Sequence, residues 1–109
     1  MDKVRIVLTT VSSDAAAEAL AQALVERRLA ACVNILGPIR SIYRWQGAVE
    51  NEPEYLLLVK TTADRTADLS RAFRELHPYE LPELVELDVA GGSAAYLCWV
   101  IEQVSRGPQ

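Results

Sequence analysis

Hydrophobic spacing in this chain switches between a period of two and a period of 3.6 in an order that few folds accept. Val4, Ile6 and Leu8 alternate with Arg5, Val7 and Thr9, which predicts a strand whose second face is only partly polar and which is covered on both sides. Ser12, Ser13 and Asp14 then supply N-cap oxygens to a helix over 15–28, with Ala17, Leu20, Ala21 and Leu24 on one face and Arg27 and Arg28 in its last turn. The apolar run 29–35 reads as a strand buried on both faces. Gly37-Pro38 interrupts it and strand character resumes over 39–45, so one long strand with a bend or bulge at the glycine is expected. Gln46-Gly47 and Glu50-Asn51-Glu52-Pro53 are turn-like, and 54–61 returns as the third strand, closing a long hairpin.

Thr62 and Asp64 can cap a second helix over 63–76, where Leu69, Ala72, Phe73 and Leu76 recur at helical spacing. Val85, Leu87 and Val89 alternate with Glu86 and Asp88 in a fourth strand over 84–89. After Gly91-Gly92-Ser93 a last helix puts Leu97, Val100, Ile101 and Val104 on one stripe and Cys98 and Trp99 on its flank, and 106–109 reads as a frayed end. The order is βαββαβα. Its first six elements form two strand-helix-strand halves, the split βαβ, ferredoxin-like arrangement: an α+β single domain over 1–109 with an antiparallel sheet and two helices on one face.

Between the second helix and the fourth strand lies His77-Pro78-Tyr79-Glu80-Leu81-Pro82-Glu83, which holds the only histidine. Proline disfavours helical angles at the residue before it, so the helix stops near His77 and Leu81 is pushed towards extended angles. Such a corner is stiff and can hold His77, Tyr79 and Glu83 in fixed relation. The hairpin arms outrun what one helix layer can cover, and they carry Tyr43, Trp45 and Tyr55. An exposed aromatic ribbon of this kind invites self-association.

Composition narrows the partners. The net charge is −4, which gives no field to gather nucleic acid or anionic lipid. No apolar run approaches the ~20 residues that cross a bilayer, and Met1-Asp2-Lys3-Val4-Arg5 builds no signal-peptide core. The two cysteines, Cys32 and Cys98, form neither a Cys-x-x-Cys pair nor a zinc-spaced cluster, so two mostly buried thiols in a reducing, cytoplasmic compartment are expected.

Several segments, in this order, resemble the CutA family, the divalent cation tolerance proteins: Arg28-Leu29-Ala30-Ala31-Cys32-Val33-Asn34-Ile35, Ser41-Ile42-Tyr43-Arg44-Trp45-Gln46-Gly47, Leu58-Val59-Lys60-Thr61, the His77 to Glu83 corner, and Tyr96-Leu97-Cys98-Trp99. Gln46 is a departure, since the family more often has a charged residue before that glycine. The resemblance implies a ferredoxin-like subunit in a tight homotrimer, its long hairpin packed on neighbouring subunits as in the signal-transducing PII proteins. It also implies that Cys32, Tyr43, Trp45, Lys60, His77, Tyr79, Glu83 and Trp99 lie near clefts between subunits. Copper is the divalent cation that the resemblance brings in, bound in some members through cysteine and histidine. Here Thr9 and Leu76 stand where those relatives carry a cysteine and a histidine, and His77 alone matches; three copies around a trimer axis, or a nearby Glu83 or Cys32, would have to complete a site.

Three functions remain open at this level. The first is a non-enzymatic trimeric binding or signalling protein, needing no cofactor, with a metal ion or small molecule in its clefts and Lys60 offering charge to an anion. The second is a small enzyme of acylphosphatase-like plan acting on a phosphorylated metabolite, although Thr9-Thr10-Val11-Ser12-Ser13-Asp14 has neither the glycines nor the arginine of a phosphate cradle. The third is a metal chaperone of the same fold, for which a Met-x-Cys-x-x-Cys loop is missing.

Overall fold

The computed structural model describes residues 3–106, so the expected frayed end at 107–109 lies outside the described residues. Eight elements follow in order: β1 Val4–Val11, α1 Asp14–Glu26, β2 Cys32–Trp45, β3 Ala48–Thr62, a short 3₁₀ turn Ala63–Arg65, α2 Thr66–Leu76, β4 Val85–Asp88 and α3 Ala94–Val104. The strands form one sheet in the order β2-β3-β1-β4 with every neighbouring pair antiparallel. This is the ferredoxin-like α+β arrangement, with β3 inserted between the two strands that α1 connects.

The two faces of the sheet differ. On one, Val7, Val11, Leu57 and Val59 meet Leu20 and Leu24 of α1 and Leu69 and Phe73 of α2 in the main core. This is the face the sequence presented as partly polar, because Thr9 and Thr61 share it; both are fully buried, and Thr61 Oγ1 donates to the Leu29 carbonyl at 2.7 Å. On the other face α3 covers one end, where Val100 and Val104 pack with Val4 and Ala31. Further along, Ile6, Leu8, Leu56 and Leu58 stay half-buried, while Leu36, Val85 and Leu87 are exposed.

Several boundaries move, each for a tertiary reason. Helix α1 ends at Glu26, short of Arg28. Arg27 caps it, Arg28 takes φ 58°, and the amides of Arg28 and Leu29 return to the carbonyls of Val25 and Leu24 at 3.1 and 2.9 Å. That is a Schellman close, and it swings Leu29 into the core beside Leu24. Residues 29–31 are consequently a buried crossing instead of strand, tied to β3 by the Ala31 amide on the Lys60 carbonyl at 2.8 Å, and the apolar run reflected burial more than ladder pairing. β2 is an edge strand: Val33 packs on the core, but Ile35 and Leu36 are exposed, not buried on both faces.

The hairpin is longer than expected. A bulge between Leu36 and Ile39 falls at Gly37-Pro38, and β3 begins at Ala48, so residues 50–53 are strand and only Gln46-Gly47 turns. Pro53 is tolerated because β1 reaches only as far as Tyr55, leaving one edge of β3 open at the proline. A Cβ on Gly37 would run into the Tyr55 ring, so glycine lets the two arms close. Gln46 and Gly47, at φ 49° and 83°, make the tight two-residue turn that matches strand twist.

The start of α2 is likewise different: Thr62 gives its hydroxyl to Asp64 Oδ1 at 2.5 Å and makes no cap, and Ala63–Arg65 winds tightly before the helix proper. Ser13 and Ser93 do cap α1 and α3, accepting from the amides of Ala16 and Tyr96 at 3.1 and 3.4 Å. Cys98 is exposed and Cys32 half-buried, so the expectation of two buried thiols fails: Cys98 sits on the solvent side of α3, away from the Val100 and Val104 stripe.

Candidate functional site

Helix α2 ends where it must, with the His77 amide bonded to the Phe73 carbonyl at 2.9 Å and His77 itself extended at φ −76°, ψ 134° ahead of Pro78. The chain then runs along the edge of β1 beyond the last residue that β4 pairs, Leu8. This places the His77 ring, only 8% exposed, against the end of β1. Its Nδ1 accepts from the Tyr79 amide at 3.1 Å. Nε2 lies 3.1 Å from the Thr10 carbonyl and 3.0 Å from Thr9 Oγ1. An acceptor at Nδ1 requires the proton on Nε2, which donates to the Thr10 carbonyl, so the ring is the neutral Nε2–H tautomer. Burial lowers its pKa below the usual 6.5, outweighing the Thr10 carbonyl and the field of Glu54, both of which favour the cation. Phe73 and Tyr79 flank the ring at centroid distances of 5.5 and 5.1 Å.

With both nitrogens committed, His77 offers no lone pair to a metal in this arrangement. Among the described residues, no group of three or more His, Cys, Asp or Glu side chains could hold a metal ion. The donor set of one chain therefore does not fit a divalent cation, and His77 instead fixes the corner to β1 and orients Tyr79.

Tyr79 carries the next link. Its hydroxyl donates to Glu54 Oε2 at 2.6 Å, and Glu54 is 6% exposed. Burial, followed by this hydrogen bond and the charge of Glu54, raises the phenol pKa far above its ordinary 10, so Tyr79 stays a donor at any physiological pH. The corner and the hairpin border an open cavity of about 840 Å³ whose lining includes Thr10, Tyr43, Trp45, Glu54, Tyr79 and Glu83. Register brings Glu50, Glu52 and Glu54 opposite Tyr43, Ser41 and Ile39 on the same face. Desolvation, with the fields of Glu54, Glu50 and Glu52 behind it, raises the Tyr43 pKa as well.

The eight residues singled out in the sequence thus divide. Tyr43, Trp45, Tyr79 and Glu83 line the cavity, with His77 behind its wall. Cys32, Lys60 and Trp99 lie elsewhere, by the N-terminal part of α3. Cys32 is paired with Lys60 in the ladder, Lys60 Nζ approaches the Tyr96 hydroxyl at 3.4 Å and stands 5.6 Å over its ring, and Tyr96 meets Trp99 at 5.6 Å. The charge that Lys60 was expected to lend an anion is therefore outside the cavity. Glu54 was missed. Glu50, Glu52 and Glu54 recur at every second position, a strand signal that Pro53 concealed by making the segment read as a turn.

Residues 5–103 match the family model described as CutA1 divalent ion tolerance protein. The Divalent-cation tolerance protein CutA of Thermus thermophilus is 52% identical over 97 residues, covering 89% of this chain and 94% of that relative. The Protein CutA homolog of Xenopus laevis is 43% identical over 91 residues, 84% of this chain, and the chain spans 60% of the length of that relative. Among solved structures, the divalent cation tolerance protein (Cut A1) from Thermus thermophilus matches with a TM-score of 0.89 at 50% identity, covering 92% of this chain and 97% of that one. Sequence, order of elements and backbone agree, and the chain belongs to the CutA family of divalent cation tolerance proteins.

Proposed function

We propose that this protein is a non-enzymatic, homotrimeric binding protein that serves tolerance to divalent cations and takes its ligand in clefts completed by neighbouring copies. The observation that carries the reading is the unfinished second face of the sheet. Ile6, Leu8, Leu56 and Leu58 are only half-covered, Leu36, Val85 and Leu87 lie open beside them, and Ile42 and Val49 on the protruding hairpin are 66% and 64% exposed. Apolar surface of that extent, on a molecule drawn out to 48 Å in one direction and 22 Å in another, is what a second copy would cover. The cavity opens along this hairpin from Glu54 to Trp45, so a neighbour seated on the hairpin would wall it in.

The names of the relatives support the tolerance role. Copper enters this reading only through donors shared between copies, because His77 is occupied and Thr9 and Leu76 supply no replacement. The two free thiols suit a reducing, cytoplasmic setting.

Native mass spectrometry of the purified protein tests the assembly: the expected mass is about three times the 12.0 kDa of the chain. A single folded chain at micromolar concentration would sink the proposal. Calorimetry with Cu²⁺ and Zn²⁺ on the wild type and His77→Ala tests the metal, with equal, weak heats expected from both; tight binding lost in the variant would restore His77 as a ligand.

A further inference from the structure

The part of the cavity that one chain supplies, between the hairpin and the corner after α2, has a chemistry of one sign. Its lining includes the carboxylates of Glu54, Glu80 and Glu83 and the rings of Tyr43, Trp45 and Tyr79, with no lysine, arginine or histidine among them. Glu50 and Glu52 continue the acidic row on the same face. An anion would be repelled here, and a neutral ligand would gain nothing from the buried Glu54.

A bare divalent cation needs several oxygens converging at about 2.0–2.6 Å. No such set of side chains exists among the described residues. A cation whose charge is spread over alkyl groups asks for something else: aromatic faces within about 6 Å and a carboxylate that water screens poorly. Tryptophan and tyrosine are the best such faces, and Glu54, 6% exposed and fixed by the Tyr79 hydroxyl at 2.6 Å, is such a carboxylate. At about 840 Å³ the space is that of a small-molecule pocket, far larger than an ion requires.

We propose that this cavity binds an alkylated ammonium ion, with Tyr43 and Tyr79 as the ring faces and Glu54 as the counter-charge. The proposal rests on the reading of the cleft as a ligand site and names the class of ligand it takes.

The test uses the intact assembly, with tetramethylammonium as the charged probe and tert-butanol as an uncharged group of similar shape. Ring faces shift the methyl proton resonance of tetramethylammonium upfield, and titration of that shift gives the dissociation constant. Tetramethylammonium is expected to bind about tenfold more tightly than tert-butanol, and Tyr43→Ala and Glu54→Gln, each compared as an assembly of wild-type mass, are each expected to weaken it by about tenfold. Trp99→Phe, on the far cluster, is expected to leave binding as it is. Equal affinity for the two probes, or binding unaffected by both cavity variants, would overturn the ammonium assignment and leave the cleft as a site for another ligand. Loss of the assembly in the wild type would instead overturn the functional reading on which it rests.

Discussion

A single imidazole shows how environment sets chemistry. His77 is held neutral because burial disfavours its charge and because a second proton, placed on Nδ1, would point at the Tyr79 amide that now donates there. Since the folded pKa lies below the unfolded value of about 6.5, the unfolded chain binds the proton first as pH falls. The stability that His77 contributes is therefore present above pH 6.5 and lost as pH drops through the folded value. Denaturation midpoints are expected to fall between pH 7 and pH 5, with most of that fall abolished in His77→Gln. The Tyr79–Glu54 bond gives a second test. Tyr79→Phe leaves a buried carboxylate without its donor and is expected to cost about 1–3 kcal/mol in urea unfolding, whereas Glu54→Gln keeps an acceptor and costs less.

Element ends are where local rules and tertiary demands collide. Arg28 sits at φ 58°, a position that glycine fills without steric cost. Arg28→Gly is expected to raise the free energy of unfolding by about 1 kcal/mol, less the small loss of the exposed bond from its guanidinium to the Gln103 carbonyl, as read by urea denaturation. The hairpin turn gives the opposite sign. Gly47 lies at φ 83° with open space around it, so strain alone opposes a side chain, and Gly47→Ala is expected to lose about 1 kcal/mol by thermal denaturation. The two positions differ in how they show in the sequence. A glycine after Gln46 marks a turn, but an arginine in a left-handed cap looks like one more helical residue.

For the whole molecule, the decisive feature is a sheet with one finished face and one partly covered by a single helix. Under the trimer reading, Leu58→Glu places a charge in the apolar field between Leu8 and Leu56 and is expected to shift the protein towards a single chain in sedimentation velocity, with helical content retained by circular dichroism. An unchanged sedimentation coefficient would show that this face is not the contact between copies. The overall plan was legible in the chain alone, since β1, α1, the hairpin, α2 and α3 each carry a long periodic signal. The cavity was legible only in part: Tyr43, Trp45, Tyr79 and Glu83 come from motifs, while Glu54 was hidden behind Pro53, and Cys32, Lys60 and Trp99 belong to a different neighbourhood.

The order of elements, the stiff corner after α2 and the protruding hairpin are written into the sequence, because they follow from spacing, proline geometry and cap residues that act within a few positions. Three outcomes waited on the assembled fold: residues 29–31 cross the core ahead of the strand ladder, β2 takes the edge, and Glu54 meets Tyr79 across 25 positions of chain. Those outcomes depend on which surfaces are left to bury once the helices have docked, a quantity that no local pattern contains.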